Sequence, residues 1–535
     1  MRRWNGWGEE SIVDALPAAA VAYLERAVGR GTPPADATLE AALASVPPSR
    51  LPAHRLVSAD PSARLRHARG QSFPDWVALR SGRLGALPDG VATPTSAGEV
   101  RDLLDYARGA GARVIPWGGG TSVVGGVTPP PGEGPVLTVD LARLAGLRRF
   151  DETSGLASFG AGTAGPDVEA QLRARGWTLG HYPQSFEQST VGGWVATRSS
   201  GQQSLGYGRI EALFAGGRLE SPAGTLELPP HPASAAGPDL RQLVLGSEGR
   251  LGVLTEATLR ATPLPERERF PAAFLPSFEA ALEAVRELAR ARLPLSMIRL
   301  STPVETETTL ALAGHEQAIG LLRRYLRARG VARGRCMLLL ALTGRRRPVA
   351  VAAAEALAIV ARHGGVSATG LFGRQWQASR FRTPYLRNTL WEAGYAADTV
   401  ETAVDWSAVP ALAAAIARAL RGGLLADGER VHAFTHLSHV YPSGSSLYTS
   451  FLWRLSGDPE VDLDRWRRLK RGTSLAIVAA GGTISHQHGV GADHAPYLAA
   501  EKGGLGMAAL GDLLRRFDPD GLMNPGVLLP AEVSR

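Results

Sequence analysis

Apolar residues at helical spacing alternate along this chain with short apolar runs bounded by glycine and proline. Val100, Leu103, Leu104 and Ala107 fall on one face of a helix predicted over 95–109, and Val168 and Leu172 on one face of another over 166–175. Short apolar runs predict strands at 113–116, 136–140, 243–245 and 251–260. Region 11–44 reads as helical between proline breaks. Composition changes after Pro263-Leu264-Pro265, which marks a domain boundary. Beyond it, helices are predicted at 278–291, 315–330, 349–363, 408–421, 469–480 and 508–517, and strands at 296–300, 337–343, 429–437 and 446–453. This alternation suits an α+β sandwich of a few strands with helices on one face.

A chain of 535 residues exceeds one hydrophobic core, so two or three domains are expected. With 44% hydrophobic and 20% charged residues the balance is globular, not disordered. The net charge of +8 attracts anions. Its cations are nearly all arginine: lysine occurs only at Lys470 and Lys502, and no block of like charge outruns Arg345-Arg346-Arg347. No zinc-finger or RNA-recognition motif appears and aromatics do not interleave the arginines, so nucleic acid is not an expected partner. The single cysteine, Cys336, excludes an intramolecular disulfide and a cysteine-based metal cluster. No apolar segment follows Arg2-Arg3 as in a secretory signal, and no run reaches the ~18 apolar residues of a membrane span, so the expected location is cytoplasmic.

The strongest local signal is 116–126, Pro-Trp-Gly-Gly-Gly-Thr-Ser-Val-Val-Gly-Gly. Glycines directly after a strand leave N–H groups free to wrap an anion, and without Cβ atoms a pyrophosphate can come close. Pro116, Gly118, Gly119 and Gly120 are candidate contacts, with Thr121 and Ser122 as hydroxyl donors. The spacing is neither a Rossmann fingerprint nor a Walker A loop, and a plain glycine-rich turn is the alternative for this segment alone. A second segment, 183–196, carries Ser185, Ser189, Thr190, Gly192 and Gly193 and leads to Ser199; a third, 245–256, carries Glu248, Gly249, Gly252 and Val253. Three such loops in one domain suit an extended dinucleotide held mainly by backbone amides.

In this order and spacing the loops resemble the vanillyl-alcohol oxidase / p-cresol methylhydroxylase superfamily of FAD proteins. Trp4-Asn5-Gly6-Trp7-Gly8, Pro88-Asp89, the 187–194 segment, Gly237-Pro238-Asp239, Gly246-Ser247-Glu248-Gly249 and His488-Gly489-Val490-Gly491 narrow the likeness to alkyldihydroxyacetonephosphate synthases, from Trp4 to about Asn524. The resemblance implies an α+β protein: an N-terminal helical region at 1–86, a two-subdomain PCMH-type FAD-binding domain at 87–265, an α+β substrate-binding cap at 266–484, and a segment at 485–535 that returns to the flavin. Covalent attachment in this superfamily usually runs through a histidine in the first loop; Thr121 and Ser122 stand there, so FAD is expected to be non-covalent. The implied chemistry exchanges the acyl chain of acyl-dihydroxyacetone phosphate for a fatty alcohol, with the substrate carbon held transiently on flavin N5 and no net redox change. A lipid-phosphate or other small-molecule substrate follows, and the resemblance suggests a homodimer. Peripheral membrane contact stays open, although no distinct amphipathic anchor stands out.

Carried over residue by residue, Arg387 matches the family's active-site arginine and Tyr448 its catalytic tyrosine; both are candidates for substrate binding as well as catalysis. A permanently charged guanidinium suits a phosphate or carboxylate, and a phenol can pass a proton. His486 and His488 match the outer members of the family's run of three histidines. The plainer readings are a surface arginine, a core tyrosine and structural histidines. Three positions depart from the pattern: Gln487 replaces the middle histidine, Ala492-Asp493-His494 follows the turn where a basic residue is expected, and Ala233 replaces an arginine. Hence the alternative, a dehydrogenase or oxidase of a 2-hydroxy acid with Arg387 as carboxylate anchor and His488 as base; a flavin-binding protein without catalysis is the third reading. His432, His436 and His439 invite a metal, but strand alternation turns His439 away from the other two, and Gln487 stands where related dehydrogenases place a glutamate ligand. No metal is expected.

Overall fold

The computed structural model describes residues 2–313, 316–368 and 371–530. Its first sheet has four strands in the order Val57–Ser58, Gly90–Ala92, Val136–Asp140, Arg113–Trp117. The last three run parallel. A parallel pair needs a crossover, and helix Ala97–Gly109 supplies it. The Ser96 hydroxyl caps that helix by accepting from the Glu99 N–H, and Val100, Leu103, Leu104 and Ala107 are the residues it buries. The second sheet is antiparallel, in the order Leu147–Asp151, Leu156–Gly160, Val253–Arg260, Phe214–Ser221, Gly224–Leu228. Both sheets feed one apolar cluster that includes Leu103, Val114, Leu137, Phe159, Phe214 and Leu259. These are two subdomains that share one core.

The cap is an eight-stranded antiparallel sheet. Its main order is Val366–Ser367, Ala272–Leu275, Cys336–Gly344, Leu295–Ser301, His432–Leu437, Gly444–Arg454, Tyr395–Asp405; Arg267–Arg269 also pairs with Cys336–Gly344. Helices Phe278–Arg290, Arg346–Arg362, Val409–Gly422 and Pro459–Ala479 contribute to the core on one face. Unlike the sequence expectation, the other face is also covered at one end, by Glu316–Ala328 and Leu371–Ser379. The reason lies in Cys336–Gly344, which is apolar on both faces: Leu338 and Leu340 point to the first core, Met337, Leu339 and Ala341 to the second.

Several boundaries differ from expectation. Segment 243–245 ends a short helix, Arg241–Val244, instead of forming a strand. Region 11–44 holds two helices, Ala18–Val28 and Leu39–Ala44, because Gly29, Gly31 and Pro33-Pro34 break the pattern between them. The helix expected at 469–480 begins at Pro459, where Asp458 accepts from the Glu460 N–H. The last helix spans Leu498–Phe517 with a kink at Gly503, whose φ is +68°. His315, the expected first residue of one cap helix, lies outside the described residues; that helix is Glu316–Ala328. By length and composition Val409–Asp427 is one helical stretch apolar enough to cross a membrane, contrary to the reading above; here it packs Val409, Leu412, Ile416 and Leu420 into the cap core.

Trp7 near the start and Asn524 near the end of the described residues each bridge distant segments. Trp7 exchanges two hydrogen bonds with Asn388, N–H to Oδ1 at 3.0 Å and Nδ2 to the carbonyl at 2.9 Å. Asn524 donates from Nδ2 to the carbonyls of Gly126 and Glu248 at 2.9 and 2.8 Å. The first pair ties the N-terminal segment to the cap helix Thr383–Glu392, and the second ties the C-terminal segment to the loops at 126 and 248.

Candidate active site

The three glycine loops converge. A Cβ added to Gly118 would lie 2.3 Å from Thr190 Oγ1, one added to Gly119 would lie 1.9 Å from the Gln188 carbonyl oxygen, and one added to Gly249 would touch the Pro116 ring at 3.0 Å. So the first loop is pressed against the second and the third by bare backbone. Among the described residues, the N–H groups of Gly119, Gly120 and Thr121 donate to nothing in the chain. Such orphan amides form an anion site. The loop hydroxyls serve mainly as braces. Ser122 Oγ accepts from Gly126 N–H at 2.9 Å, Thr190 caps Val191–Thr197, Ser189 Oγ accepts from Trp194 Nε1 at 2.8 Å, and Ser199 Oγ meets His181 Nε2 at 2.7 Å. Ser185 turns the second loop, its carbonyl accepting from Gln188 and Ser189. Gly192 closes on Ala161, and Gly252 on Glu220 next to Val253, which begins a strand.

Glu248 sits elsewhere than its loop suggested. Its backbone is left-handed at φ +49°, and its carboxylate accepts from Val490 N–H at 2.6 Å and Gly491 N–H at 2.7 Å. It therefore anchors the C-terminal turn to the cofactor loops. Burial pushes its carboxyl up to about 7 against those two hydrogen bonds.

Sheet register aligns the cap's polar face. Glu401 pairs with Tyr448, and Tyr448 with His436, so all three side chains project to one side. The His436 and Tyr448 rings stack at 4.9 Å, and His488 meets Tyr448 edge-on at 5.7 Å. Arg299 reaches His436 Nε2 at 3.0 Å and Glu305 at 2.7 Å, while Glu305 bonds His436 Nδ1 at 2.9 Å. Burial opposes charge on Glu305, yet His436 and Arg299 hold its carboxyl below the usual range. Burial pushes the Tyr448 phenol up to about 12. Arg387, on helix Thr383–Glu392, lies over the Trp76 ring at 4.3 Å and donates from Nη1 to the Gln71 carbonyl; its Nη2 is buried without a partner. Burial lowers it to about 10, with Asp398, Asp75 and Tyr448 opposing the shift.

The histidine turn wraps a carboxylate. Glu401 Oε1 accepts from Ser485 Oγ at 3.1 Å and from the N–H groups of His486, Gln487 and His488 at 3.0, 2.9 and 3.0 Å. His486 Nε2 lies 2.9 Å from Arg209 Nη1 and 2.7 Å from the Tyr441 hydroxyl, and its ring stacks on His439 at 5.0 Å. His439 Nδ1 meets Ser200 Oγ at 3.1 Å, while His432 Nε2 turns to Thr308 at 2.9 Å. The three histidines weighed as a metal set thus go to three different partners. Arg387, Tyr448 and His488 are brought together; His486 sits one step back, against Arg209.

Residues 88–227 match the family described as FAD binding domain, and residues 264–528 match FAD linked oxidases, C-terminal domain. The alkyldihydroxyacetonephosphate synthase of Dictyostelium discoideum is 30% identical over 480 residues, covering 88% of this chain and 78% of that protein. The chain belongs to the alkyldihydroxyacetonephosphate synthase family. A solved alkyldihydroxyacetonephosphate synthase superposes with a TM-score of 0.81 at 25% identity, covering 98% of both chains. A glycolate oxidase subunit of Bacillus subtilis is 24% identical over 462 residues, covering 84% of this chain and 91% of that protein. As a member of this synthase family the protein is an FAD-dependent enzyme with the two-subdomain FAD-binding domain and cap of the wider superfamily.

The residues present fit FAD: the orphan amides of 119–121 suit its pyrophosphate, and glycines at 118, 119 and 249 let the three loops close with no Cβ between them. Gly119→Ala should weaken FAD binding roughly 100-fold, about 2.7 kcal/mol, because its Cβ would drive the loops apart. Flavin absorbance retained after desalting, with the circular dichroism unchanged, measures this; full retention would mean that the loops separate without harm. Sequence reasoning missed Glu401, Arg299, Glu305, Arg209, Tyr441 and Lys470. Only Lys470 carried a signal, as one of two lysines in an arginine-rich chain; it is buried, donating to the Thr399 carbonyl at 2.9 Å beside Asp398.

Proposed function

We propose that this enzyme replaces the acyl chain of acyl-dihydroxyacetone phosphate by a fatty alcohol, forming an ether. One observation carries the reading: Arg387, stacked on Trp76 and held by the Gln71 carbonyl, keeps a buried donor, Nη2, without a partner. That donor is charge-assisted and suits the phosphate of such a substrate. The 30% identity to a protein named for this synthesis supports the same assignment.

Bound FAD would supply a ring able to take up and return an electron pair within one turnover. In this reading Arg387 holds the phosphate through Nη2 while Trp76 stacks on its guanidinium, and Arg299, fixed by hydrogen bonds to His436 and Glu305, adds to the field around Tyr448. Tyr448 and His488 exchange protons with the substrate carbon and with the incoming alcohol. The carbon–oxygen bond to the acyl chain breaks, the fatty acid leaves as carboxylate, and the alcohol oxygen bonds to the same carbon while its proton passes to the base.

Radiolabelled hexadecanol, incubated anaerobically with palmitoyl-dihydroxyacetone phosphate and no electron acceptor, should enter the lipid as fatty acid is released, one for one. No incorporation, together with bleaching of the flavin by a 2-hydroxy acid, would overturn the reading in favour of an oxidoreductase.

A further inference from the structure

The sequence offers two histidines for proton transfer, but the structure treats them differently. Arginine carries only donors, so Arg209 Nη1, 2.9 Å from His486 Nε2, requires a lone pair on that nitrogen. Arg209 is itself fixed by Glu211 at 2.8 Å and by the His486 carbonyl at 2.8 Å. The neutral His486 ring must then carry its proton on Nδ1. That atom is buried without a hydrogen-bond partner and lies 3.6 Å from Glu401 Oε2, an acceptor equally without one. Protonating Nε2 would set a second cation against the guanidinium, and burial with His439 and Arg209 keeps His486 neutral far below the ordinary range. Its lone pair is spent, so it cannot serve as the base.

Among the described residues no such donor hydrogen-bonds the His488 ring. Its Nδ1 lies 3.6 Å from Glu401 Oε1, and its ring meets the edge of Tyr448. The groups facing it are Glu401 and Asp398 from the edge strand, Lys470 from the helix behind, Tyr448 from the neighbouring strand, and His486 and His494 from its own segment. Glu401 cannot move toward either ring, because three backbone N–H groups and one hydroxyl hold its Oε1. We infer that Glu401 is the positioning residue that commits His488 to the Nδ1–H tautomer, leaving Nε2 as the working base, while Arg209 withdraws His486 from proton transfer. The inference deepens the proposed reaction and rests on its assignment of the proton to His488; the tautomer itself is readable without substrate.

Nitrogen-15 spectra of the resting, FAD-loaded protein, with His486→Gln and His488→Gln used to identify the two rings, test this directly. Both rings are expected as neutral Nδ1–H tautomers at pH 7.5. A His488 ring protonated on Nε2 would overturn the inference whether or not the enzyme exchanges acyl for alkyl chains. In Glu401→Gln, His488 is expected to lose its single tautomer and kcat to fall roughly 100-fold, the scale of general-base catalysis. The ascending limb of the pH profile should also move to lower pH. Glu401 favours the charged ring, so its removal lowers the His488 pKa, and the base is free at lower pH. A uniform loss of activity with an unmoved limb and an unchanged tautomer would mean that Glu401 only holds the turn. Failure of the exchange assay with both tautomers as expected would sink the proposed reaction and leave the positioning role standing.

Discussion

An Arg387→Met enzyme is expected to stay folded and yellow while kcat/KM for the phosphate substrate falls roughly 1,000-fold, about 4 kcal/mol, the scale for removing one partner of a desolvated charge contact. Three contacts fix this guanidinium before any substrate arrives: the Trp76 face, the Gln71 carbonyl, and the charges of Asp75 and Asp398. Nη2 is left buried without a partner, and such a donor is costly unless a ligand completes it. Methionine keeps the stem's packing on Trp76 and removes the charge, so the loss reports the anion contact. Lysine at the same place keeps the charge but cannot both hold Gln71 and reach the ligand, so Arg387→Lys should fall between the two. The measurement is steady-state kinetics with palmitoyl-dihydroxyacetone phosphate beside its dephosphorylated analogue. If Arg387 anchors the phosphate, the mutation penalises the phosphate substrate far more than the analogue; equal penalties would place Arg387 in the scaffold.

How much of this was legible depended on whether a residue's partner lay close in sequence. Helix Ala97–Gly109 was readable because its apolar stripe, serine cap and small C-terminal residues are all local. The close packing of the three glycine loops was readable because backbone close approach demands glycine, and glycine is visible in a sequence. Strand Tyr395–Asp405 was not. Its site face carries Thr399, Glu401 and Ala403, which hides the alternation that marks a strand. Glu401 serves N–H groups more than eighty residues ahead, with no motif linking the two. Glu248 was noticed for the loop it sits in, whereas its carboxylate works on a turn 242 residues away. Arg299 was lost among the arginines: nothing in composition separates a guanidinium on His436 from one on the surface. The resemblance supplied Arg387, Tyr448, His486 and His488 together, and only geometry distinguishes the last two.

Tyr448→Phe should lower kcat by a factor of roughly 100 to 10,000 with little change in KM, the range for losing a positioned acid–base group that acts in the transition state. The substitution is conservative in every other respect. Phenylalanine keeps the stack on His436 and the edge contact with His488, so the cap sheet and the arginine pair should not move. Only the hydroxyl goes. Since burial holds that phenol up to about 12, it is protonated throughout the neutral range and begins the cycle as a donor. Rates between pH 6 and 9 should therefore show no limb from Tyr448 itself. The acid limb, which burial moves below the ordinary histidine range, belongs to His488, and it should survive in Tyr448→Phe at the same pH, because losing a neutral hydroxyl removes no charge from its surroundings. A rate within about threefold of the parent would show that the phenol is only the upper layer of the His436 stack. A large loss with the His488 limb intact would separate the two groups as donor and acceptor, and the order in which they act would follow from their starting states: Tyr448 loaded with its proton, His488 empty.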